Sequence, residues 1–582
     1  MGRLTHTCRQ RHSRKLCLCL GEITNFPCST PRHIGGGMRF SRTSKALGVA
    51  AIIALAATGC GGGGSNDSGT SAGDPNKVII ADGSEPQRPL MPADINEVGG
   101  GKIATLIFSG LVSYDPSGKP VNELAESIEA PDAQNFTIKI KKDQKFTNGD
   151  AITAKTFVDS WNYGAAAKNA QLSATFFESI KGYDEASAEG STVDTLSGLK
   201  VVDDTTFTVE LKQPESDWPL RLGYTAFMPV PAAALADPKT YGEKPVGNGP
   251  YKMAENGWQH NVQIQLVPNP DYNGPRKAKN GGVTFKIFQN DDAAYQDLLS
   301  NNLDILQVIP TSALKNFKSD LGDRFIEKPY AGNQTIAIPE YLPEWSGEAG
   351  KLRRQAISMA INREEITKVI FSGGRQPAKD FTAPVLDGYS DSIPGSDNLN
   401  FDATKAKELW AKADAIQKWD PNTAFTIAYN ADKGGHKAWV EALTNQLKNN
   451  LGIKAEGLPF ATFKEARDLA TTGKLTGAIR AGWQADYPSL YNFLGPIYKT
   501  GAGSNDARYE NPTFDKAISD GLSAPSVAEG NKAMNKAQEI LLQDLPAIPL
   551  WYQVSQGGWS TGVTNVDYGW DGVPLYYNIT GK

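Results

Sequence analysis

All five cysteines of this 582-residue chain fall in its first 60 residues (Cys8, Cys17, Cys19, Cys28 and Cys60), and residues 61–582 contain none. A body of that length must hold together without disulfides and without thiolate-bound metal. Only His260 and His436 follow Cys60, so a multi-histidine metal centre is excluded as well. The length exceeds what one hydrophobic core serves, and two or three lobes are expected. With 40% hydrophobic and 21% charged residues, the body is globular rather than disordered or membrane-embedded. Charge is unevenly spread. Residues 1–59 hold nine Lys/Arg against the single acid Glu22, which leaves 50 Lys/Arg and 63 Asp/Glu for the rest. Such an acidic body argues against nucleic acid as a partner, because neutralising phosphates needs a basic surface.

Residues 38–60 read MRFSRTSKALGVAAIIALAATGC. Arg39, Arg42 and Lys45 precede the apolar run Ala46–Ala57, a secretory signal too short to remain as a spanning helix. Its end, Ala57-Thr58-Gly59-Cys60, resembles the bacterial lipobox, with Ala57 where that motif usually has Leu. The expectation is lipidation of Cys60 and anchoring to the outer face of the cytoplasmic membrane; the alternative is a plain secreted protein with an incidental cysteine. Residues 1–37 look unlike any targeting segment, and Met38 is expected to be the true start. Residues 60–77, which include a Gly/Ser run, read as a flexible tether.

Beyond the tether, short strands and helices alternate. Phe136, Ile138 and Ile140 predict a half-buried strand, as do Phe207/Val209/Leu211, Val262/Ile264/Leu266 and Val283/Phe285/Ile287. Asn148-Gly149 marks a turn, and Phe157 with Trp161 shares one face of a helix. Later helices are longer: Leu352–Ala360, one opened by Asn362 and Glu365 and stopped by Gly373, one carrying Val440, Leu443 and Leu447, and one from Ser526 closed by Pro546. No P-loop is present, because the position five before Gly473-Lys474 is Asp468. Neither a G-x-S-x-G elbow nor an H-E-x-x-H helix occurs. Paired carboxylates are abundant but expected at this acid content, and no residue set nominates a reaction.

Several strings, in order along residues 78–582, resemble the oligopeptide- and dipeptide-binding family of ABC-transporter solute receptors. They are GSEPQRPLMP (83–92), FTIKIKKDQKFTNGDAITAKTFVDSW (136–161), VGNGPYKM (246–253), NPDYNGP (269–275), LRRQAISMAINREEI (352–366), AGWQADYPSLYNFL (481–494) and NPTFD (511–515). The resemblance implies an α/β, two-lobed periplasmic-binding-protein-like clamp of type II with an additional inserted domain. Lobe I would comprise 78–108, 226–333 and 554–582, the inserted domain 109–225, and lobe II 334–553. It also implies peptide cargo, an ABC permease with its ATPase subunits as partners, a monomer, no cofactor or metal, and no covalent chemistry.

By the same resemblance, the string from Arg480 to Tyr487 holds a peptide's amino end. Asp486 would meet the ammonium, since a buried ammonium needs a carboxylate. Trp483 would give a flat apolar wall, and backbone around Gly482 and Gln484 would pair with the extended ligand. Asn96-Glu97-Val98 would supply the opposing edge, with Asn96 and Val98 as contacts. Arg467 and Arg480 match arginines that meet a ligand carboxylate, and Phe460 an aromatic pocket wall. Each has a plainer reading: Asp486 as a turn cap before Pro488, Trp483 as core, the arginines as surface ion pairs. Three rivals stay open: the same clamp with a sugar or metal chelate, a peptide sensor without transport, and an anchored envelope hydrolase.

Overall fold

The computed structural model describes residues 73–431 and 434–582. Segment 1–37, the signal-like segment 38–59, Cys60 and the tether to residue 72 lie outside the described residues. Residues 73–77, read from sequence as the end of the tether, are already part of the folded body. Asp74 exchanges backbone hydrogen bonds with Gly581 at 3.0 and 3.2 Å, and Lys77 pairs with Asp304 at 3.2 Å.

One eleven-stranded sheet runs through the molecule. Its path is Lys454–Phe460, Ala424–Asn430, Ala478–Gln484, Phe325–Ala337, Ala547–Trp559, Ile305–Leu306, Val78–Gly83, Gly282–Ile287, Gln263–Pro268 and Tyr251–Gln259, with Gln376–Pro377 beside Ala547–Trp559. The two longest strands, Phe325–Ala337 and Ala547–Trp559, pair antiparallel at its centre, with register breaks between Pro329 and Asn333 and between Gln334 and Thr335. Strand periodicity assigns the cores on either side. Ile336, Ile427 and Ala478 face one cluster, with Trp345, Trp439 and Trp551; their neighbours Ala337, Ala428 and Ile479 face the other, with Phe493, Leu494 and Leu541. Around the opposite end of the sheet, Ile79, Ala81, Ile264, Val283 and Phe285 form a further core with Ile103 and Ile107.

A separate four-stranded antiparallel sheet, ordered Ala125–Glu129, Asn135–Ile140, Thr206–Glu210 and Leu199–Val201, has its own core. The alternation at Phe136, Ile138 and Ile140 places these side chains inward, where helix Ala154–Ala165 lays Phe157 and Trp161 over them. Trp161 is fully buried, its indole N–H donates to the Phe227 carbonyl at 2.9 Å, and its ring meets Trp218 and Phe227 edge-on. Truncating such a residue to Ala costs about 3–5 kcal/mol.

Helix starts follow the capping chemistry, and two ends need correction: helix Arg363–Val369, expected to be stopped by Gly373, is closed already at Ile370, and the left-handed conformation after it begins at Ser372, φ +52°. Asn362 accepts from the Glu365 N–H at 3.0 Å and Ser526 from the Glu529 N–H at 3.3 Å, as their spacing predicts. Helix Val527–Asp544, expected to be closed by Pro546, ends instead at Leu545, a buried residue with φ +46°. The burial of its side chain offsets a conformation usually left to glycine. Among the described residues, no helix is long and apolar enough to cross a membrane.

Candidate functional site

Strand Ala478–Gln484 has two unequal edges. One pairs with Phe325–Ala337 from Ile479 through Gln484. The other pairs with Ala424–Asn430 at Ala478 and Ile479, so among the described residues Ala481–Gln484 present an open strand edge. Gly482 is required by the paired edge: a Cβ there would lie 2.6 Å from the Asn333 carbonyl oxygen. The Asn333 side chain accepts from the Trp483 backbone N–H at 3.1 Å and donates to the Phe381 carbonyl at 2.7 Å, fixing the strand against its neighbour.

The chain then turns through Asp486 and Pro488 into helix Leu490–Tyr498, capped by Ser489, whose hydroxyl accepts from the Tyr491 N–H at 3.1 Å. Asn492, fully buried in that helix's first turn, reaches back to the strand end. Its Oδ1 accepts from the Trp483 indole at 2.8 Å and from the Asp486 N–H at 3.0 Å, and its Nδ2 donates to Asp486 Oδ2 at 3.1 Å. One amide thus sets both the indole and the acid. The Tyr224 hydroxyl lies beside the Asp486 carboxylate and helps hold its charge. Among the described residues no lysine or arginine pairs with Asp486. Burial pushes its carboxyl up to about 6, against the opposing pull of the Asn492 and Tyr224 hydrogen bonds.

A second half-buried acid lies close by. Burial also pushes the Asp571 carboxyl up to about 6; its backbone carbonyl accepts from Gln484 Nε2 at 2.9 Å. Tyr114 stands near both acids; burial first, then neighbouring Tyr487, and after it the charges of Asp486 and Asp571 hold its phenol well above the usual range. Its ring meets Trp570 edge-on at 5.4 Å, and both line a cavity of about 110 Å³ with Asp571.

The remaining expected residues separate into groups. Trp483 and Phe460 are half-buried and pack on the core of Phe493 and Leu494. Arg480 donates to Asn430 Oδ1 from Nε at 2.8 Å and lies 4.7 Å over the Phe463 ring. Arg467 is ion-paired with Asp506. Both arginines are thus engaged within the protein, and a ligand carboxylate would have to compete with those contacts. Asn96 and Val98 are exposed; Val98 opens helix Val98–Ile107 rather than a strand, and Glu97 caps it by accepting from the Gly100 N–H at 2.7 Å.

Sequence reasoning missed Asn492, Tyr224, Tyr114 and Asp571. Asn492 left a signal, since Ser489 is a good helix cap and the third residue of the helix often reaches back past its cap. The tyrosines and Asp571 come from segments more than 80 residues away and carry no local pattern. Among the described residues, no three His, Cys, Asp or Glu side chains group to hold a metal.

The sequence profile of the bacterial extracellular solute-binding proteins, family 5 Middle, matches residues 119–505. The chain is 26% identical over 516 residues to the oligopeptide-binding protein OppA of Bacillus subtilis, covering 86% of this chain and 92% of that protein. It is 27% identical over 518 residues to the periplasmic oligopeptide-binding protein OppA of Escherichia coli, with the same coverage of 86% and 92%. Among solved structures, the murein tripeptide binding protein MppA of Escherichia coli superposes with a TM-score of 0.76 at 23% identity, over 88% of this chain and all of that one. Haemophilus influenzae OppA, in complex with RPPGFSPFR, gives 0.74 at 24% identity, over 88% of this chain and 99% of that one. The fold is therefore the two-lobed type II clamp, and the chain belongs to family 5 of the bacterial extracellular solute-binding proteins.

Proposed function

We propose that this protein captures peptides between its two halves and delivers them to an ABC permease powered by its ATPase subunits. One observation carries the reading: an open strand edge, Ala481–Gln484, runs toward a half-buried carboxylate, Asp486, that has no cation of its own among the described residues. A carboxylate withdrawn from water without a counter-ion is costly. A peptide's ammonium supplies that counter-ion, and its backbone supplies the missing strand partner. Trp483 offers an apolar wall free of sequence demands, and the cavity beside Tyr114, Trp570 and Asp571 gives a side chain room. The peptide-binding names of the relatives support the same cargo.

In this reading the halves are 78–108 with 226–333 and 554–582, carrying the inserted 109–225, against 334–553. Strands Phe325–Ala337 and Ala547–Trp559 connect them and act as the hinge. Asn96 and Val98 face the ligand from the first half. The protein works as a monomer held outside the cytoplasmic membrane by lipid on Cys60, and it makes and breaks no bonds in its cargo.

Titration calorimetry with a tripeptide and its N-acetyl form tests the assignment. Asp486→Ala should weaken binding of the free-amino peptide by about 3–5 kcal/mol and that of the acetylated one far less. Equal losses for both would remove the ammonium from Asp486.

A further inference from the structure

We propose that Asp217 and Ser489 form a positioning pair that holds the clamp closed without touching the ligand. The proposal rests on the two-halves reading above, in which Asp217 belongs to the inserted domain and Ser489 to the opposite half. The Ser489 hydroxyl donates to Asp217 Oδ2 at 2.8 Å, and both residues are buried. Further contacts join the same two segments. The Ser216 N–H donates to the Leu522 carbonyl at 2.9 Å, Leu220 packs on the core of Phe493 and Leu494, and the Arg221 guanidinium lies 4.8 Å over the Tyr491 ring.

The acid side of this joint is built to stay put. Arg221 is buried with Glu215 and Asp217, at 2.7 and 3.3 Å, and donates to Ser179 Oγ at 2.8 Å. Asp217 therefore meets Ser489 as a held carboxylate rather than a mobile one. On the other side, Ser489 caps the helix whose Asn492 sets both Trp483 and Asp486. A hydroxyl that caps a helix and also donates across the joint ties the orientation of the candidate site to closure. None of these groups lies on the open strand edge, so the pair acts on the closed population and not on ligand choice. On opening, water replaces the serine at Asp217, and only the net gain of a charge-assisted hydrogen bond is lost, about tenfold in the closed-to-open ratio.

The test uses the full chain with its five cysteines replaced by Ser and spin labels at V202C and I416C, which are 58% and 60% exposed. Pulsed electron resonance then reports the separation of the halves without ligand, and calorimetry reports binding of free-amino tetraalanine. Ser489→Ala and Asp217→Ala should each shift the ligand-free distances toward the longer population and weaken tetraalanine about tenfold. Ser489→Thr, which keeps the hydroxyl and the cap, should restore both. Asp217→Asn, which keeps an acceptor but drops the charge, should shift the distances in the same direction by less, and it guards against misfolding at Asp217→Ala. Unchanged distances in stably folded variants, or a threonine that restores neither readout, would overturn the pair. If the parent chain binds no tetraalanine, the peptide reading falls, while the distances still decide the fate of the pair.

Discussion

Asp486 and Arg467 were both expected at a ligand's ends, but their surroundings differ. Asp486 sits among Asn492 and Tyr224 with no cation among the described residues, and its carboxyl is pushed up by burial. Arg467 already has Asp506. A charge that the fold has neutralised is a finished structural contact. One that the fold has desolvated and left uncompensated is poised to gain from an incoming partner. Under the proposed reading, the contrast would make the amino end of a ligand the better-defined end of this site.

The largest effect that could break this contrast is pH dependence. Ammonium binding requires both the ionised carboxylate and the protonated amine, so affinity for a free-amino peptide should be greatest near pH 7, dip slightly toward pH 8 as the free peptide's amine deprotonates, and fall about tenfold per pH unit below about 6. Calorimetry between pH 4 and 8 measures this, and a flat profile would detach the acid from the ligand. Next comes the ligand-free protein. The folded pKa of Asp486 lies above the ordinary value of 3.8, at about 6. The native state therefore holds the extra proton through that window, and stability falls as pH rises across it. Asp486→Asn has no such charge to bury and should be more stable at pH 7 by about 3 kcal/mol, converging with the parent near pH 4. Denaturant melts at both pH values sharpen the comparison; equal stability at pH 7 would mean the carboxylate is compensated after all. The smallest effect concerns the paired arginine. Arg467→Gln should cost about 1 kcal/mol of stability or less and shift peptide affinity far less than Asp486→Ala does. A loss of affinity matching that of Asp486→Ala, confined to peptides with a free carboxylate, would restore Arg467 to the site and erase the contrast.

How much of this was legible in sequence depended on how local the physics was. The strands around Phe136, Phe207, Ile264 and Phe285 and the caps at Asn362 and Ser526 follow from spacing alone, and all are present. Asp486 and Trp483 stood out through a string resemblance, and the structure joins them through Asn492. The engagement of Arg467 with Asp506 could not be read, because the partner is 39 residues away across a helix and a strand. Tyr114, Tyr224 and Asp571 likewise come to the neighbourhood of the site by long-range packing that leaves no periodic trace. The left-handed Leu545 was hidden for a different reason: residue type alone favours the following proline as the stop.

The shared eleven-stranded sheet also bears on how this molecule could be dissected. Because Phe325–Ala337 and Ala547–Trp559 hydrogen-bond along their length and are flanked by Ala478–Gln484 and Ile305–Leu306, cutting the chain between them strips a central ribbon of its neighbours. The exposed N–H and C=O rows would then recruit other chains. Fragments ending near residue 330 or beginning near residue 340 should accumulate as aggregates, so any engineered sensor built on this scaffold is better made by insertion into surface turns than by splitting it.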